Sequence, residues 1–191
     1  MSSLLNGVKT LKDLPDLKDK RVFLRLDLNV PIKKGKITDE TRITATLPTI
    51  RFLLDAGAKL ILASHMGRPK GPEDRGDNSL EPVGDRLAEL LGVEVHLTEN
   101  PDSDAPKALL IGPMKNKVIL LENLRFHPGE EKNAPDLPKV WAEYTDIYVN
   151  DAFGASHRAH ASIVGLPELI KEKCVGFLME KELAHLGTLL D

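Results

Sequence analysis

The sequence has few of the features that would make the fold depend on covalent or membrane support. It contains a single cysteine, Cys174, among 191 residues, which excludes an intrachain disulfide and favours a reducing compartment. The N-terminus lacks the apolar core of a secretory signal, and no apolar run approaches the length of a membrane span. We therefore expect a cytoplasmic protein with no membrane partner, in which Cys174 is a small buried residue.

Excess positive charge and aromatic residues are also missing. Lys and Arg number 26 against 29 for Asp and Glu, the formal net charge is -3, and aromatic residues make up 4%. Proteins that bind nucleic acid through backbone phosphates usually carry a basic excess. A nucleic-acid-binding domain is thus a disfavoured alternative, and no nucleic-acid partner is expected. Any cluster of cations must be local.

Neither of the common nucleotide-binding loops occurs in the chain. There is no G-x-x-x-x-G-K-[ST] run and no G-x-G-x-x-G after a predicted strand; such loops place backbone amides around nucleotide phosphates. We expect no cofactor site in this chain. The length suits one domain with its own core.

What is present is an alternation of short apolar runs with segments of helical period. Strands are predicted at 21–30, 59–63, 93–97, 118–121, 146–149 and 173–177, and helices within 43–54, 83–91, 137–144 and 179–190. This alternation predicts an α/β fold: a three-layer, doubly wound (Rossmann-like), mostly parallel sheet with helices on both faces. Ligands of such sheets bind beyond the carboxyl ends of the strands.

The first strand breaks the apolar pattern of a buried strand. In "RVFLRLDLNVP", Arg25, Asp27 and Asn29 share one face, whereas a strand inside a doubly wound sheet should be apolar on both faces. An Arg25–Asp27 pair in the interior is the structural alternative, but it leaves Asn29 unexplained. We therefore favour a binding site at the end of this strand.

Other predicted strands also end in basic residues. They are His65 and Arg68 in "LASHMGRPKG", Arg125 in "ENLRFHPGEE", and His157, Arg158 and His160 in "NDAFGASHRAHAS". For "LASHMGRPKG" a simple surface turn at Gly67 is the alternative. Arg42 adds a further cation at the start of the first long helix. A cation at a helix N-terminus opposes the helix dipole by up to ~1 kcal/mol. An anionic ligand would offset that cost.

Arginine dominates this cluster, and its planar fork binds carboxylate and phosphate through paired hydrogen bonds. With Asp27 and Asn29 available for a hydroxyl, the pattern predicts a short phosphorylated hydroxy acid as ligand. A metal site built from His65, His157 and His160 is the alternative. We expect no metal, because an arginine-lined pocket repels a divalent cation.

Four of these stretches resemble the N-terminal half of phosphoglycerate kinase. They are "RVFLRLDLNVP", "SHMGRPKG", "LLENLRFHPGEE" and "NDAFGASHRAHAS", in the family's order and spacing, and the resemblance extends to "FLMEKELAHLG". The departures are Leu28 where Phe is usual, Met66 where Leu is usual, and Ala155-Ser156 where Thr-Ala is usual. None of them removes a charged group.

The resemblance implies a domain organisation and an activity. Residues 1–178 would be the N-terminal substrate-binding domain and 179–191 the start of the interdomain helix, with the C-terminal nucleotide-binding domain absent from this chain. The family's glycolytic reaction transfers a phosphoryl group reversibly between 1,3-bisphosphoglycerate and ADP, giving 3-phosphoglycerate and ATP. Mg-ATP or Mg-ADP would bind the missing domain, and this chain is expected to be monomeric and inactive alone.

The resemblance also implies roles for individual residues. Arg42 would be catalytic, stabilising the transferring phosphoryl group. The substrate-binding residues would be Asp27, Leu28, Asn29, Arg42, His65, Met66, Gly67, Arg68, Arg125 and Arg158. A supporting basic patch would comprise Arg25, His157 and His160. The alternative function is a stand-alone anion-binding module without catalysis, which an end in mid-helix disfavours.

Overall fold

The computed structural model describes residues 7–14, 16–112 and 117–190, with the side chains of 189 and 190 excepted. The first six residues of the predicted domain therefore lie outside the described residues. The strands are β1 (Arg21–Leu26), β2 (Ile32–Lys33), β3 (Lys36–Ile37), β4 (Lys59–Ala63), β5 (Glu94–Leu97), β6 (Lys117–Leu120), β7 (Ile147–Asp151) and β8 (Glu172–Val175). The α-helices are α1 (Thr41–Asp55), α2 (Glu81–Leu91), α3 (Ala105–Ile111), α4 (Asp136–Ala142), α5 (Leu166–Leu169) and α6 (Phe177–Leu190).

Six strands form one parallel sheet, in the order β5-β6-β4-β1-β7-β8. The chain starts in the middle at β1, adds β4 beside it, places β5 at the outer edge and then inserts β6 between β5 and β4. It returns to add β7 and β8 on the other side of β1. The predicted doubly wound α/β fold is confirmed. Because β1 pairs with both β4 and β7, the order reverses at β1, which is where such sheets place their ligands.

The apolar side chains of β1 alternate between two cores, one on each face of the sheet. Leu24 packs in the core that includes Ile50 of α1 and Leu87 of α2. Phe23 packs on the other face, where its ring centroid lies 5.3 Å from that of Trp141 in α4 and 6.2 Å from that of Tyr148. The period-2 pattern of an inner strand thus positions helices on both faces, and the three-layer prediction is confirmed.

Strand β1 ends four residues earlier than the prediction of 21–30. After Leu26, the Leu28 amide donates to Ser64 Oγ at 2.9 Å and the Asn29 amide to Asp27 Oδ1 at 3.3 Å. These bonds replace ladder bonds, so the backbone leaves the sheet where the polar side chains begin.

The hairpin β2–β3 and the helices α3 and α5 were not predicted. Two-residue strands are too short to show alternation, and α3 and α5 have only seven and four residues, too few for a helical period to register. Of the helices in the described ranges, none combines the length and the apolarity that crossing a bilayer would need.

Candidate functional site

The carboxyl ends of β1, β4, β6 and β7 lie side by side at one edge of the sheet, because these strands are parallel neighbours. The loops that follow them carry nearly all of the site residues predicted from the sequence. The two others are Arg25, which lies within β1, and Arg42, in the first turn of α1.

Arg42 and Asp27 form a close ion pair at this edge. Arg42 Nη1 lies 3.0 and 2.9 Å from the two carboxylate oxygens of Asp27. The Arg42 side chain is 54% exposed and that of Asp27 only 15%. Both border a cavity of about 290 Å³ that is also lined by Phe153, Leu178 and Glu182. Asp27 thus holds a guanidinium that remains open to solvent and able to meet a ligand.

Asn29, Gly67 and Arg125 tie three strand ends together. The Gly67 amide donates to Asn29 Oδ1 at 2.8 Å, and Arg125 Nη1 donates to the Gly67 carbonyl. Gly67 has a φ of +58°, a left-handed conformation that glycine adopts without strain. The turn after β4 is therefore clamped between the polar end of β1 and the arginine that follows β6.

Gly67→Ala is expected to lower the free energy of unfolding by about 1–3 kcal/mol. The alanine would be held at a left-handed φ. Its Cβ would overlap with Asn78 Oδ1, so the Asn78 side chain would have to move. Urea denaturation checks this prediction. Gly7→Ala is the matched control for positive φ in an open position, since no atom lies within 4 Å of its Cβ, and equal losses in the two variants would contradict a contribution from the clash.

Arg25 lies completely inside the protein. Its Nε donates to Ser162 Oγ at 2.8 Å, its Nη1 donates to the Leu26 carbonyl, and its Nη2 lies 3.2 Å from His65 Nδ1. The alternative of an interior Arg25–Asp27 pair is wrong, because the Asp27 carboxylate pairs with Arg42 instead. Arg25 therefore adds positive charge beneath the site, on the interior side of the exposed cations, and does not itself reach solvent.

The buried ionisable groups at this edge lie in one positive electrostatic field. Burial lowers the pKa of His65 to about 2, and the charges of Arg25, Arg125, Arg158 and His160 act in the same direction. Burial also lowers the pKa of Arg125, where Glu131 opposes the shift while Arg158, Arg25 and Arg68 add to it. Positive potential is therefore concentrated at this edge of a chain whose net charge is -3.

The remaining cations line the outside of the same edge. Arg68 and His157 are exposed, and Arg158 is half-buried, with its Nε 3.4 Å from His157 Nε2. His160 is 8% exposed, and its Nδ1 lies 3.7 Å from Glu130 Oε1. The structure thus brings together the cations from the ends of β1, β4, β6 and β7.

Two predicted site residues have their side chains in the core rather than at this edge. Leu28 is 0% exposed and Met66 is 2% exposed, and both pack in the core next to α1 and α2. Any contact of these two residues with a ligand would have to use backbone atoms. Their assignment to the site remains a prediction.

The sequence analysis missed the polar residues that hold these loops from beneath. Asn123 accepts from the amides of Met66 and Arg125 and donates to the carbonyls of Met66 and Asn78. Glu122, 1% exposed, accepts from Ser79 Oγ and from the Leu80 amide. The sequence carried a signal for them, since Glu122 and Asn123 directly follow the apolar run 118–121, just as Asp27 and Asn29 come after the apolar residues of β1.

Within the described ranges, no group of three or more His, Cys, Asp or Glu residues is arranged to hold a metal ion. The arrangement suits anions: fixed guanidinium groups, a low local dielectric and few opposing carboxylates strengthen charge-assisted hydrogen bonds.

The model of the family described as phosphoglycerate kinase matches residues 11–191 of this chain. The chain belongs to the phosphoglycerate kinase family. The family recognised from the four motifs is thereby confirmed.

Named relatives and solved structures agree with this membership. The chain is 56% identical over 190 residues to phosphoglycerate kinase of Bdellovibrio bacteriovorus, covering all of this chain and 47% of that protein. It is 52% identical over 180 residues to that of Anaeromyxobacter dehalogenans, covering 93% and 46%. It resembles the structure of phosphoglycerate kinase from Coxiella burnetii with a TM-score of 0.81 and 38% identity, over 94% of this chain and 44% of that one. The chain spans about half the length of the curated relatives it matches.

Proposed function

We propose that this chain is the half of a phosphoglycerate kinase that binds 3-phosphoglycerate, at the edge of the sheet formed by the carboxyl ends of β1, β4, β6 and β7. The observation that carries the proposal is the convergence of arginines from β1, from the loops after β4, β6 and β7, and from the first turn of α1. Arg42, Arg68 and Arg158 reach solvent, while Arg25 and Arg125 raise the potential from inside. Such a field favours a small ligand with a phosphate at one end and a carboxylate at the other.

Each group has a proposed task in the reversible transfer between 1,3-bisphosphoglycerate and ADP. Asp27 and Asn29 orient the hydroxy-acid portion of the substrate by hydrogen bonds to its hydroxyl. His65, Arg68, Arg125 and Arg158 bind the anionic groups. Arg42, held by Asp27 and facing the cavity, neutralises charge on the transferring phosphoryl group, the main task of a protein in this chemistry.

The nucleotide partner is proposed to bind elsewhere in the complete enzyme. Mg-ATP or Mg-ADP would bind to a C-terminal domain that this chain does not contain. From there it would supply the phosphoryl group to the substrate or receive it. Transfer requires such domains to close on both substrates and exclude water. We therefore propose that the chain binds substrate as a cytoplasmic monomer and does not turn over alone.

Calorimetric titration of 3-phosphoglycerate tests this function. Saturable binding is expected, with inorganic phosphate binding more weakly, and Arg42→Ala is expected to raise the dissociation constant by about tenfold or more, the loss of one charge-assisted contact. Arg51→Ala is the matched control, because Arg51 lies on the same helix but donates to the Leu90 carbonyl. Equal affinities for 3-phosphoglycerate and phosphate, or an unchanged affinity in Arg42→Ala, would contradict the proposal.

A further inference from the structure

A chain of buried polar groups lies beneath the cation cluster. Glu130 Oε2 accepts the Ser162 amide at 2.9 Å, and Glu130 Oε1 accepts the Ser162 hydroxyl at 2.5 Å. The same hydroxyl oxygen accepts Arg25 Nε at 2.8 Å. Glu130, Ser162 and Arg25 are each 0% exposed, so this carboxylate–hydroxyl–guanidinium relay is shielded from water.

The relay compensates the buried positive charge of Arg25. A buried charge is costly unless an opposite charge and hydrogen bonds compensate it. In the part of the chain that the structure describes, no carboxylate oxygen lies within 4.0 Å of the Arg25 guanidinium. Glu130 is the foremost of the acidic groups that oppose the lowering of the pKa of Arg25 by burial. The counter-charge therefore reaches Arg25 through a serine hydroxyl.

Glu130 also fixes the backbone that follows the cationic turn. Its carbonyl accepts the Ala161 amide at 2.8 Å, and its carboxylate accepts the Ser162 amide. These two residues open a single π-helical turn, Ala161–Gly165, that comes directly after Arg158 and His160. A single residue of the "HPGEE" loop thus sets the position of the cations from β7 relative to Arg25 in β1.

We propose that Glu130 is a positioning residue of the anion site, which acts through Ser162 to hold Arg25 and the turn of residues 157–160 in their binding geometry. The proposal rests on the proposed function. Glu130 is not expected to touch the ligand, since it is fully buried and both of its oxygens bind Ser162. Its contribution is to order the cations before the ligand binds. Binding then does not have to include the entropic cost of ordering these side chains, and the affinity is higher.

The first test is a double-mutant cycle on the affinity for 3-phosphoglycerate. Glu130→Gln keeps the shape but removes the charge. Its NH2 group must face either the Ser162 amide, which is only a donor, or the Ser162 hydroxyl, which could then no longer donate to residue 130. We expect its dissociation constant to rise about tenfold or more. If Glu130 acts through Ser162, Ser162→Ala should weaken binding alone but add nothing in the Glu130→Gln background, since members of one network are not additive. Fully additive losses would overturn the proposal.

A matched control separates positioning from a general loss of stability. Thr145→Val removes a buried hydrogen bond, from Thr145 Oγ1 to the Trp141 carbonyl at 2.7 Å, at the opposite edge of the sheet. It is expected to lower stability and leave the dissociation constant unchanged. An equal loss of affinity in Thr145→Val and Glu130→Gln would show that Glu130 acts only through stability.

A ligand-free measurement keeps the test independent of the proposed function. Solvent exchange of the Arg25 Nε–H, followed by nuclear magnetic resonance, should be slow in the unsubstituted chain and in Thr145→Val. Exchange should become much faster in Glu130→Gln and in Ser162→Ala. If Glu130→Gln does not fold, the exchange rate in Ser162→Ala tests the role of the relay. If the unsubstituted chain fails to bind 3-phosphoglycerate, the proposed function fails and this exchange alone decides the role of Glu130. Unchanged slow exchange in the variants would overturn it.

Discussion

Replacing Asn123 by Asp is expected to lower the free energy of unfolding by about 3–5 kcal/mol at pH 7, although the two side chains have nearly the same shape. Asn123 is 0% exposed and fills its whole hydrogen-bonding capacity, accepting two amides and donating to two carbonyls. An ionised aspartate has no donor. The carbonyls of Met66 and Asn78 would each lose a partner and face a buried negative charge.

The same substitution should loosen the site, because Asn123 joins the loops after β4 and β6. Its bonds fix both the amide and the carbonyl of Met66, the residue between His65 and Gly67, and the amide of Arg125. Urea denaturation at pH 7 measures the stability of the variant. Calorimetry of the folded fraction should show weaker binding of 3-phosphoglycerate.

Asn100→Asp is the matched control for this prediction. Asn100 Oδ1 accepts from Arg75 Nη2 at 3.1 Å, a contact that a carboxylate can keep and strengthen. The control is expected to change stability by less than about 0.5 kcal/mol, as surface substitutions usually do. A loss below about 1 kcal/mol in Asn123→Asp would show that the two loops do not depend on the four bonds of Asn123.

The parts of the fold that the sequence predicts are those set by a repeating pattern. The inner strands carry continuous apolar runs, and α2 has apolar residues on one face with Gly92 at its end, at a φ of +66°. These patterns express a local rule, burial on both faces of a strand or one face of a helix. Arg25, Asp27 and Asn29 broke that rule, at the place where β1 ends and the site begins.

The parts that the sequence did not predict depend on contacts between distant residues. Whether Asp27 pairs with Arg25 or with Arg42 depends on where α1 packs, and no spacing along the chain encodes it. Glu130 and Ser162 are 32 residues apart, and neither stands out from the surrounding polar residues of its loop. Leu28 and Met66 show the opposite limit, because a motif places them near the site while packing turns their side chains to the core.

Lowering the pH is expected to destabilise the protein through His65, and His65→Gln should remove that part of the dependence. Burial, with smaller contributions from Arg25, Arg125, Arg158 and His160, holds the pKa of His65 at about 2, against an ordinary 6.5. The unfolded chain therefore takes up a proton below pH 6.5 that the folded protein refuses, so stability falls as pH falls from 6.5 toward 2. By about pH 4.5 the loss amounts to about 2–3 kcal/mol.

Two other groups with shifted pKa values also contribute to the pH dependence of stability. His160, whose pKa is also lowered, mainly by burial, contributes in the same direction. Asp151 acts in the opposite sense, since burial raises its pKa and the folded protein then binds its proton more readily above pH 3.8. Both effects are present in the unsubstituted chain and in His65→Gln. The difference between the two stability profiles therefore isolates His65.

Urea denaturation of both proteins from about pH 7.5 to about pH 4.5 gives these profiles, a window that spans the ordinary pKa of histidine. The glutamine introduced by His65→Gln can still accept from Arg25 Nη2, so the variant keeps the contact seen at His65 Nδ1 but cannot ionise. His185→Gln, an exposed position on α6, is the control and should follow the unsubstituted chain throughout. Parallel profiles for His65→Gln and the unsubstituted chain would mean that His65 accepts a proton in the folded state. Burial and the neighbouring cations would then not hold the pKa of His65 below its ordinary value.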